Sequence, residues 1–385
     1  MTDHQRRRVV LLGATGSIGR QACDVIGRFP DRFEIVGAVA RRDATALAAV
    51  AERFGVPRTA LVEPAPGAPL PPGTAAGMEA ACEIASVDCD VVCVAITGAA
   101  ALRPTLAALD AGHRVATATK EVLVMAGELV RARAERAGAT ITPIDSEHSA
   151  LWQCLRGEDM GTVVRLVLTA SGGPFRTRPT ATFSTITPPE ALAHPTWRMG
   201  PKVTMDSATM MNKGLEVIEA HFLFDVPYER VEVAIHPTST VHSYVEFCDG
   251  AIVAQLGVPD MRVPIALALA DGERLPGVGP PLELRSGVPL EFFEVDPERF
   301  PAVGLARSAG VSGGLAPCVL NAANEVAVAT FLDGGCRYDE IIPLVADAVQ
   351  AAPVAATPSL DDVLAADTWA RERVRSRLAG GTVVS

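Results

Sequence analysis

Several short stretches of this chain gather residue types that do chemistry. Val9–Leu12 runs directly into Gly13-Ala14-Thr15-Gly16-Ser17-Ile18-Gly19, placing glycines after an apolar run and at the start of a helical pattern. Glycine permits the tight turn and lets backbone N–H groups approach a pyrophosphate, and a helix N-terminus adds about half a positive charge there. The spacing G-x-x-G-x-x-G is one residue longer in its first gap than the commonest fingerprint. In a strand–turn–helix setting it predicts a dinucleotide site; the alternative is a sharp turn that needs glycine only for close packing. The next strand ends in Arg41-Arg42-Asp43. An acidic residue there would hold the ribose of NAD, whereas guanidinium groups favour the 2′-phosphate of NADP. Two arginines against one aspartate predict NADP(H), with an exposed charged turn as the alternative.

Asp145-Ser146-Glu147-His148 offers two carboxylates. If extended, residues i and i+2 face one way, with Ser146 turned elsewhere. Two convergent carboxylates without a basic partner repel each other, and a divalent cation relieves that. Oxygen ligands favour Mg²⁺ or Mn²⁺ over zinc; a solvated loop is the alternative. Asp206-Ser207-Ala-Thr-Met210-Met211-Asn212-Lys213-Gly-Leu-Glu216 is denser. Asp206 or Ser207 is expected to cap one long helix from Ser207 to Phe224. Asn212 and Glu216 then share a face at i, i+4, and Lys213 meets Glu216 at i, i+3. Apolar neighbours partly enclose these polar groups, which points to a site. Ser171-Gly-Gly-Pro-Phe is a turn whose amides can hold an anion; an ordinary Gly-Pro turn is the alternative. His194-Pro-Thr-Trp197-Arg-Met199-Gly200-Pro-Lys202 is a loop with a large aromatic residue. It reads either as a lid over a ligand or as packing against a neighbouring domain.

The elements that must position these residues follow from the apolar pattern. Strands are expected at Val9–Leu12, Ile35–Ala40, Val91–Ile96 and Val115–Ala118, with another ending at Ile144. Helices are expected at Ser17–Arg28, Thr45–Arg53, Ala99–Ala111 and Glu121–Ala137. That alternation predicts βαβ units on a mostly parallel sheet; Glu63–Gly73, rich in Pro, Ala and Gly, reads as a surface loop. Residues 160–260 mix strands (Val163–Thr169, Val231–Ile235, Ser243–Phe247, Ile252–Leu256) with the long helix, an α+β pattern. From about Asn321 the chain reads as helical.

At 385 residues the chain is long enough for two or three domains with real cores. A formal net charge of −11 argues against a nucleic-acid partner but leaves room for one cationic pocket that takes a phosphorylated small molecule. The longest apolar stretch, Val91 to Leu102, is far short of the roughly 18 residues of a membrane span. Arg6-Arg7-Arg8 resembles an export signal only superficially, because the apolar run after it is a strand. Eight cysteines show no C-x-x-C pair and no zinc spacing. They are expected to be reduced, mostly buried thiols of a cytoplasmic protein.

These segments together resemble the 1-deoxy-D-xylulose 5-phosphate reductoisomerase family. The matching motifs are GATGSIG (13–19), KE (120–121), DSEHSA (145–150), ASGGPFR (170–176), HPTWRMG (194–200), DSATMMNKGLE (206–216), QLGVPDMR (255–262) and NAANEVA (321–327), in family order over nearly the whole chain. The resemblance implies an α/β protein with an NADPH-binding Rossmann-like domain over 1–150. A central α+β catalytic domain would cover 151–290, its lid loop at 194–202, and a linker with a C-terminal helical domain 291–385, paired as a homodimer. It implies one divalent cation (Mn²⁺, Mg²⁺ or Co²⁺) on Asp145, Glu147 and Glu216. Ser171, Ser207, Asn212, Lys213 and His194 would hold the substrate phosphate, Ser146 and Lys120 would contact the substrate, and Trp197 and Met199 would cover it. Cofactor contacts would come from Gly13 to Gly19 (Thr15, Gly16, Ser17 and Ile18 included), Arg41, Arg42 and Asp43. Thr119, Glu121, Gly200 and Met261 would add to them. The implied reaction rearranges 1-deoxy-D-xylulose 5-phosphate to a branched aldehyde phosphate, which NADPH reduces to 2-C-methyl-D-erythritol 4-phosphate in non-mevalonate isoprenoid synthesis.

The chain departs from the family pattern in three places. Thr119 stands where Asn usually precedes the Lys-Glu pair, Arg41 and Asp43 stand for a Gly and an Asn, and H-P-Q-S reads His236-Pro-Thr238-Ser239. Two further readings compete: a paralogue acting on a related sugar phosphate, and a catalytically silent binding protein. Retention of Asp145, Glu147, Glu216 and Lys213 together speaks against the second.

Overall fold

A computed structural model describes residues 6–67, 69–194, 197, 199–284, 287 and 289–380. Two compact units emerge, one of Met1–Val122, Val130–Ser149 and Asp260–Pro281, the other of Leu123–Leu129, Ala150–Pro259 and Leu282–Ser385.

The first unit is built on a seven-stranded sheet whose paired strands all run parallel. Its strands are β1 (Arg7–Leu12), β2 (Phe33–Ala40), β3 (Thr59–Leu61), β4 (Thr74–Ala76), β5 (Val91–Val94), β6 (Arg114–Thr117) and β7 (Ile141–Pro143), in the order β4-β3-β2-β1-β5-β6-β7. The chain winds outward from β1 on one side, then returns to lay β5 on the other, so the order reverses between β1 and β5. Open α/β sheets bind ligands at such a switch point, and the glycine loop leaves β1 there. Val9 to Leu12 and Val91 to Val94 are fully buried, which explains their unbroken apolar runs. Helices α1 (Ser17–Arg28), α2 (Ala44–Phe54), α3 (Met78–Ala85), α4 (Leu102–Asp110) and α5 (Lys120–Ala137) connect the strands. Strands β3 and β4, three residues each, flank the expected surface loop; they are too short to show a period and were not anticipated.

The second unit holds a mixed sheet of β8 (Val163–Ala170), β9 (Val231–Ile235), β10 (Val241–Phe247) and β11 (Ile252–Leu256) in the order β11-β10-β8-β9. Strands β8 and β9 are parallel and the other pairs antiparallel. Between the two sheets in sequence comes α6 (Ser146–Cys154), and α7 (Pro188–Ala191) follows β8. The expected helix from Ser207 to Phe224 is two helices, α8 (Pro201–Thr209) and α9 (Met211–Phe224), parted by Met210 at φ +62°. Asp206 and Ser207 therefore lie inside α8 and cap nothing, because Pro201 supplies the first helical turn. Helix α10 (Arg262–Leu269) belongs to the first unit although the expected boundaries, 150 and 290, put it in the second. Ile265, Ala266, Ala268 and Leu269 join the core around β1 and α1, and Arg114 donates to the Ala268 and Leu269 carbonyls at 2.5 and 3.2 Å. The chain closes with α11 (Pro301–Ser312), α12 (Ala316–Leu332), α13 (Ile341–Gln350) and α14 (Leu360–Ala379). Helical structure thus begins about twenty residues before Asn321, in an Ala- and Gly-rich helix whose period is faint.

All eight cysteines are free thiols; Cys23, Cys93, Cys154 and Cys318 are buried, whereas Cys248 is exposed. Among the described residues no helix is long and apolar enough to cross a membrane.

The glycine loop shows what packing alone demands. A Cβ on Gly13 would stand 2.4 Å from the Ala95 carbonyl oxygen, just past β5, and one on Gly19 would stand 2.1 Å from the Gly13 oxygen. Gly19→Ala is expected to destabilise the fold by about 1–3 kcal/mol or more, read as a lowered melting temperature. An unchanged melt would show that the loop has room to spare.

Candidate active site

At the carboxyl end of β1, the Gly13 and Ala14 amides donate to the Val39 carbonyl at 2.8 and 2.9 Å, pinning the loop to β2. Gly16 is the N-cap of α1 and has no side chain to satisfy the first-turn amides. Gly16 and Ser17 are exposed, Thr15 and Ile18 half-buried. Free first-turn N–H groups on an exposed edge fit a pyrophosphate. Gly13 and Gly19 are fixed by packing, whereas a Cβ on Gly16 would come no nearer than 3.3 Å to the Gly13 oxygen, so packing accounts for the first two glycines more than for the third.

The arginines after β2 are less available than their types suggest. Glu63 accepts from Arg41 Nε at 3.0 Å and from Arg42 at 2.7 and 3.0 Å. Asp43 does not hang free either, since its carboxylate accepts from the Ala46 amide at 2.9 Å and caps α2. Thr119 is buried, its hydroxyl donating to the Ile96 carbonyl at 2.6 Å. Glu121 lies in the first turn of α5, and Met261 packs half-buried against the first unit's core.

The acidic motif differs from expectation in two ways. The segment 145–147 is not extended: Asp145 precedes α6, and its carbonyl accepts from the Ser149 amide at 2.8 Å. Ser146 is not turned away, because its hydroxyl donates to Glu147 Oε2 at 2.5 Å. Nor does Asp145 lack a basic partner. Lys120 Nζ lies 2.7 Å from its Oδ2, and His148 Nδ1 lies 3.5 Å from its Oδ1. Burial works against ionisation, but Lys120 and His148 outweigh it and hold Asp145 well below the usual carboxylate range. His148, at i+3 and fully buried, is a second basic partner that the spacing alone does not single out.

In the second unit His194 stands between two hydroxyls. Its Nε2 is 3.1 Å from Ser171 Oγ and 3.0 Å from Ser207 Oγ, and its Nδ1 accepts from the Trp197 amide at 2.9 Å. An Nδ1 that accepts puts the proton of neutral imidazole on Nε2, and burial lowers the His194 pKa. A Cβ on Gly173, at φ +65°, would stand 2.6 Å from the Ser207 carbonyl oxygen, so the Ser171 turn lies directly on α8. On α9 the expected face is present: Asn212 donates to Glu216 Oε1, and Lys213 Nζ lies 2.5 Å from Glu216 Oε2, with Lys213 and Glu216 both buried. Carboxylate oxygens such as these suit hard divalent cations. Gly200 is the exposed N-cap of α8, and Met199 beside it is half-buried. Pro195, Thr196 and Arg198 of the expected lid lie outside the described residues.

The sequence reading missed His242. Its ring centre is 6.2 Å from that of Trp197, and burial, then Lys213 and His236, lower its pKa to about 4. The departing residue Thr238 pairs its hydroxyl with His236 Nε2 at 3.0 Å, while His236 Nδ1 is 2.8 Å from the Glu291 carbonyl.

A family model described as 1-deoxy-D-xylulose 5-phosphate reductoisomerase matches residues 9–127, and two models of its C-terminal domain match 141–224 and 256–373. The reductoisomerase of Leifsonia xyli subsp. xyli is 52% identical over 365 residues, covering 95% of this chain and 97% of that protein. That of Thermomicrobium roseum is 48% identical over 374 residues, covering 96% and 97%. Among solved structures, the Zymomonas mobilis reductoisomerase in complex with NADPH superposes with a TM-score of 0.90 at 42% identity, over 97% of this chain and 99% of that one. A reductoisomerase complex with NADPH, fosmidomycin and magnesium gives 0.89 at 37% identity, over 97% and 98%.

His242 makes a pH prediction. As pH falls below 6.5 the unfolded chain protonates this imidazole, while the folded protein resists to about 4. Its contribution is therefore whole above the unfolded value and lost through that window, on the order of 3 kcal/mol. His242→Gln is expected to flatten the fall of melting temperature between pH 6.5 and 4.5. An equally steep fall in the variant would place the acid sensitivity elsewhere.

Proposed function

The chain belongs to the 1-deoxy-D-xylulose 5-phosphate reductoisomerase family, and we propose the division of its reaction among its own residues. It is an NADPH- and divalent-metal-dependent oxidoreductase with an intramolecular isomerase step. It converts 1-deoxy-D-xylulose 5-phosphate to 2-C-methyl-D-erythritol 4-phosphate in isoprenoid biosynthesis. The first unit takes NADPH on the open amides at Gly16 and Ser17 and on Arg41 and Arg42, which must exchange Glu63 for the 2′-phosphate. Asp145, Glu147 and Glu216 hold the cation; their all-oxygen chemistry is the support for that reading. When bound, the cation supplies Lewis acidity to the substrate's carbonyl and neighbouring hydroxyl, and NADPH supplies hydride.

The single observation that carries the substrate reading is His194 Nε2 within 3.1 Å of both Ser171 and Ser207 hydroxyls. Three uncharged donors converge there, and Lys213 and Asn212 add a charge and an amide from α9. Lys120 holds Asp145 ionised and donates to the sugar. Trp197 and Met199 exclude water above the reacting carbons.

A homodimer is supported by the bare edge of the second sheet. On β11, which has no strand beyond it among the described residues, Ile252 is 59% and Val253 39% exposed. An unpaired apolar edge of this kind asks for a partner, and a second copy fits. Cytoplasmic residence accords with eight free thiols.

The direct test is NADPH oxidation with 1-deoxy-D-xylulose 5-phosphate, with and without Mn²⁺. Activity is expected only with the metal. Glu216→Gln is expected to lose turnover by at least about a hundredfold, in the range seen when a group that stabilises developing charge is removed, and to keep NADPH affinity. Near-normal rates at limiting Mn²⁺ would remove Glu216 from the metal set. Ile252→Asp is expected to shift the mass measured by light scattering from dimer to monomer; an unchanged mass would move the interface off β11.

A further inference from the structure

Helix α8 is fastened at the residues on either side of Ser207. Asp206 is 1% exposed, and its Oδ1 accepts from Asn324 Nδ2 of α12 at 2.8 Å. Asn324 is itself fully buried. The other carboxylate oxygen lies 2.6 Å from Lys202 Nζ, one turn earlier on α8 and the last residue of the expected lid. At Ala208 the carbonyl accepts from Tyr338 Oη at 2.6 Å, a buried phenol 130 residues away in sequence. The C-terminal helical segment thus grips α8 at 206 and 208 and leaves 207 between the two grips.

That grip matters because the neighbourhood of Ser207 has no slack. Its carbonyl already presses on the Gly173 turn, and its hydroxyl and that of Ser171 share one histidine nitrogen at 3.0 and 3.1 Å. Movement of α8 by an ångström would part Ser207 from His194. Without Asn324 the buried Oδ1 loses its donor and Lys202 alone holds the carboxylate; a buried acceptor left without a donor is costly, and a shift of α8 would relieve it.

We propose that Asp206 and Asn324, seconded by Tyr338, are positioning residues for phosphate-monoester binding, setting the place of Ser207 from the C-terminal helical segment. The inference rests on the phosphate reading of Ser171, Ser207 and His194 given above. A merely structural role would lower stability and leave phosphate affinity alone.

The test uses the full-length enzyme saturated with NADPH and inorganic phosphate as the probe, its affinity read by calorimetry. KM and kcat for 1-deoxy-D-xylulose 5-phosphate are measured beside it. Asn324→Leu is expected to weaken phosphate binding and to raise KM by about ten- to a hundredfold, with kcat within about threefold. Asn324→Leu combined with Ser207→Ala is expected to bind phosphate no more weakly than Ser207→Ala alone, because both changes act through one hydroxyl. Should Asn324→Leu fail to fold, Tyr338→Phe removes a single hydroxyl and is expected to show the same KM-selective loss. Unchanged phosphate affinity in a folded variant, or additive losses in the double variant, would overturn the proposal. Calorimetry also separates the two readings: phosphate bound by the wild type without turnover of the sugar phosphate faults the reaction and leaves the positioning role standing. A wild type that binds no phosphate overturns the positioning role.

Discussion

A carboxylate withdrawn from water must be paired, and this protein meets that demand three times in one way. Asp145, Asp206 and Glu216 are each enclosed, and each has its own lysine, Lys120 at 2.7 Å, Lys202 at 2.6 Å and Lys213 at 2.5 Å. Removing one partner of such a pair typically costs about 3–5 kcal/mol, because the other charge is left stranded. Each pair also fixes a helix start that bears site residues: Lys120 opens α5, Lys202 lies in the first turn of α8, and Lys213 lies in that of α9. The pairs are not equivalent. Asp206 and Glu216 each have an amide beside the lysine, from Asn324 and Asn212. Asp145 has His148 instead, 3.5 Å from its Oδ1.

How much of this was legible in the sequence depends on the range of the interaction. The glycine loop, the parallel strands and the Asn212–Lys213–Glu216 face are set by neighbours within a few residues, so spacing revealed them. The break at Met210 was not legible, because methionine gives no sign of a left-handed backbone and tertiary packing imposes it. Helix α10 falls by sequence position inside the expected second domain, and only the core it completes around β1 assigns it to the first unit. The extended reading of 145–147 failed because Asp145 opens a helix, where its charge also favours the N-terminus. The clasp of Asp206 by Asn324 spans 118 residues; the NAANEVA motif was recognisable, but nothing local could tell what Asn324 touches.

Charge compensation also qualifies the cofactor reading. Arg41 and Arg42 look like two free cations in sequence, yet Glu63, just beyond β3, answers both. With Asp43 committed to its cap, the local sum of formal charge is near zero. On the proposed assignment, selection of a 2′-phosphate would rest on guanidinium geometry, which pairs bidentately with phosphate, more than on net positive field. These pairs are largely exposed, and exposed pairs are cheap to open, so exchange of Glu63 for phosphate is a small step.

The pocket proposed for phosphate follows a different rule, relying on donors whose protonation is fixed by structure. The Trp197 amide donates to His194 Nδ1 and thereby leaves the proton on Nε2, between the Ser171 and Ser207 hydroxyls. Burial keeps that imidazole neutral, so it offers one directed N–H and adds no charge that would have to be discharged when the site empties. The same backbone amide belongs to the residue expected to cover the substrate. Any displacement of Trp197 that breaks its bond to Nδ1 frees the ring to change tautomer and turn, and the pocket loses a donor. The proposed cover and pocket would therefore be coupled through a single imidazole: a phosphate that orders Nε2 would favour the covered arrangement, and the covered arrangement would order Nε2 for phosphate.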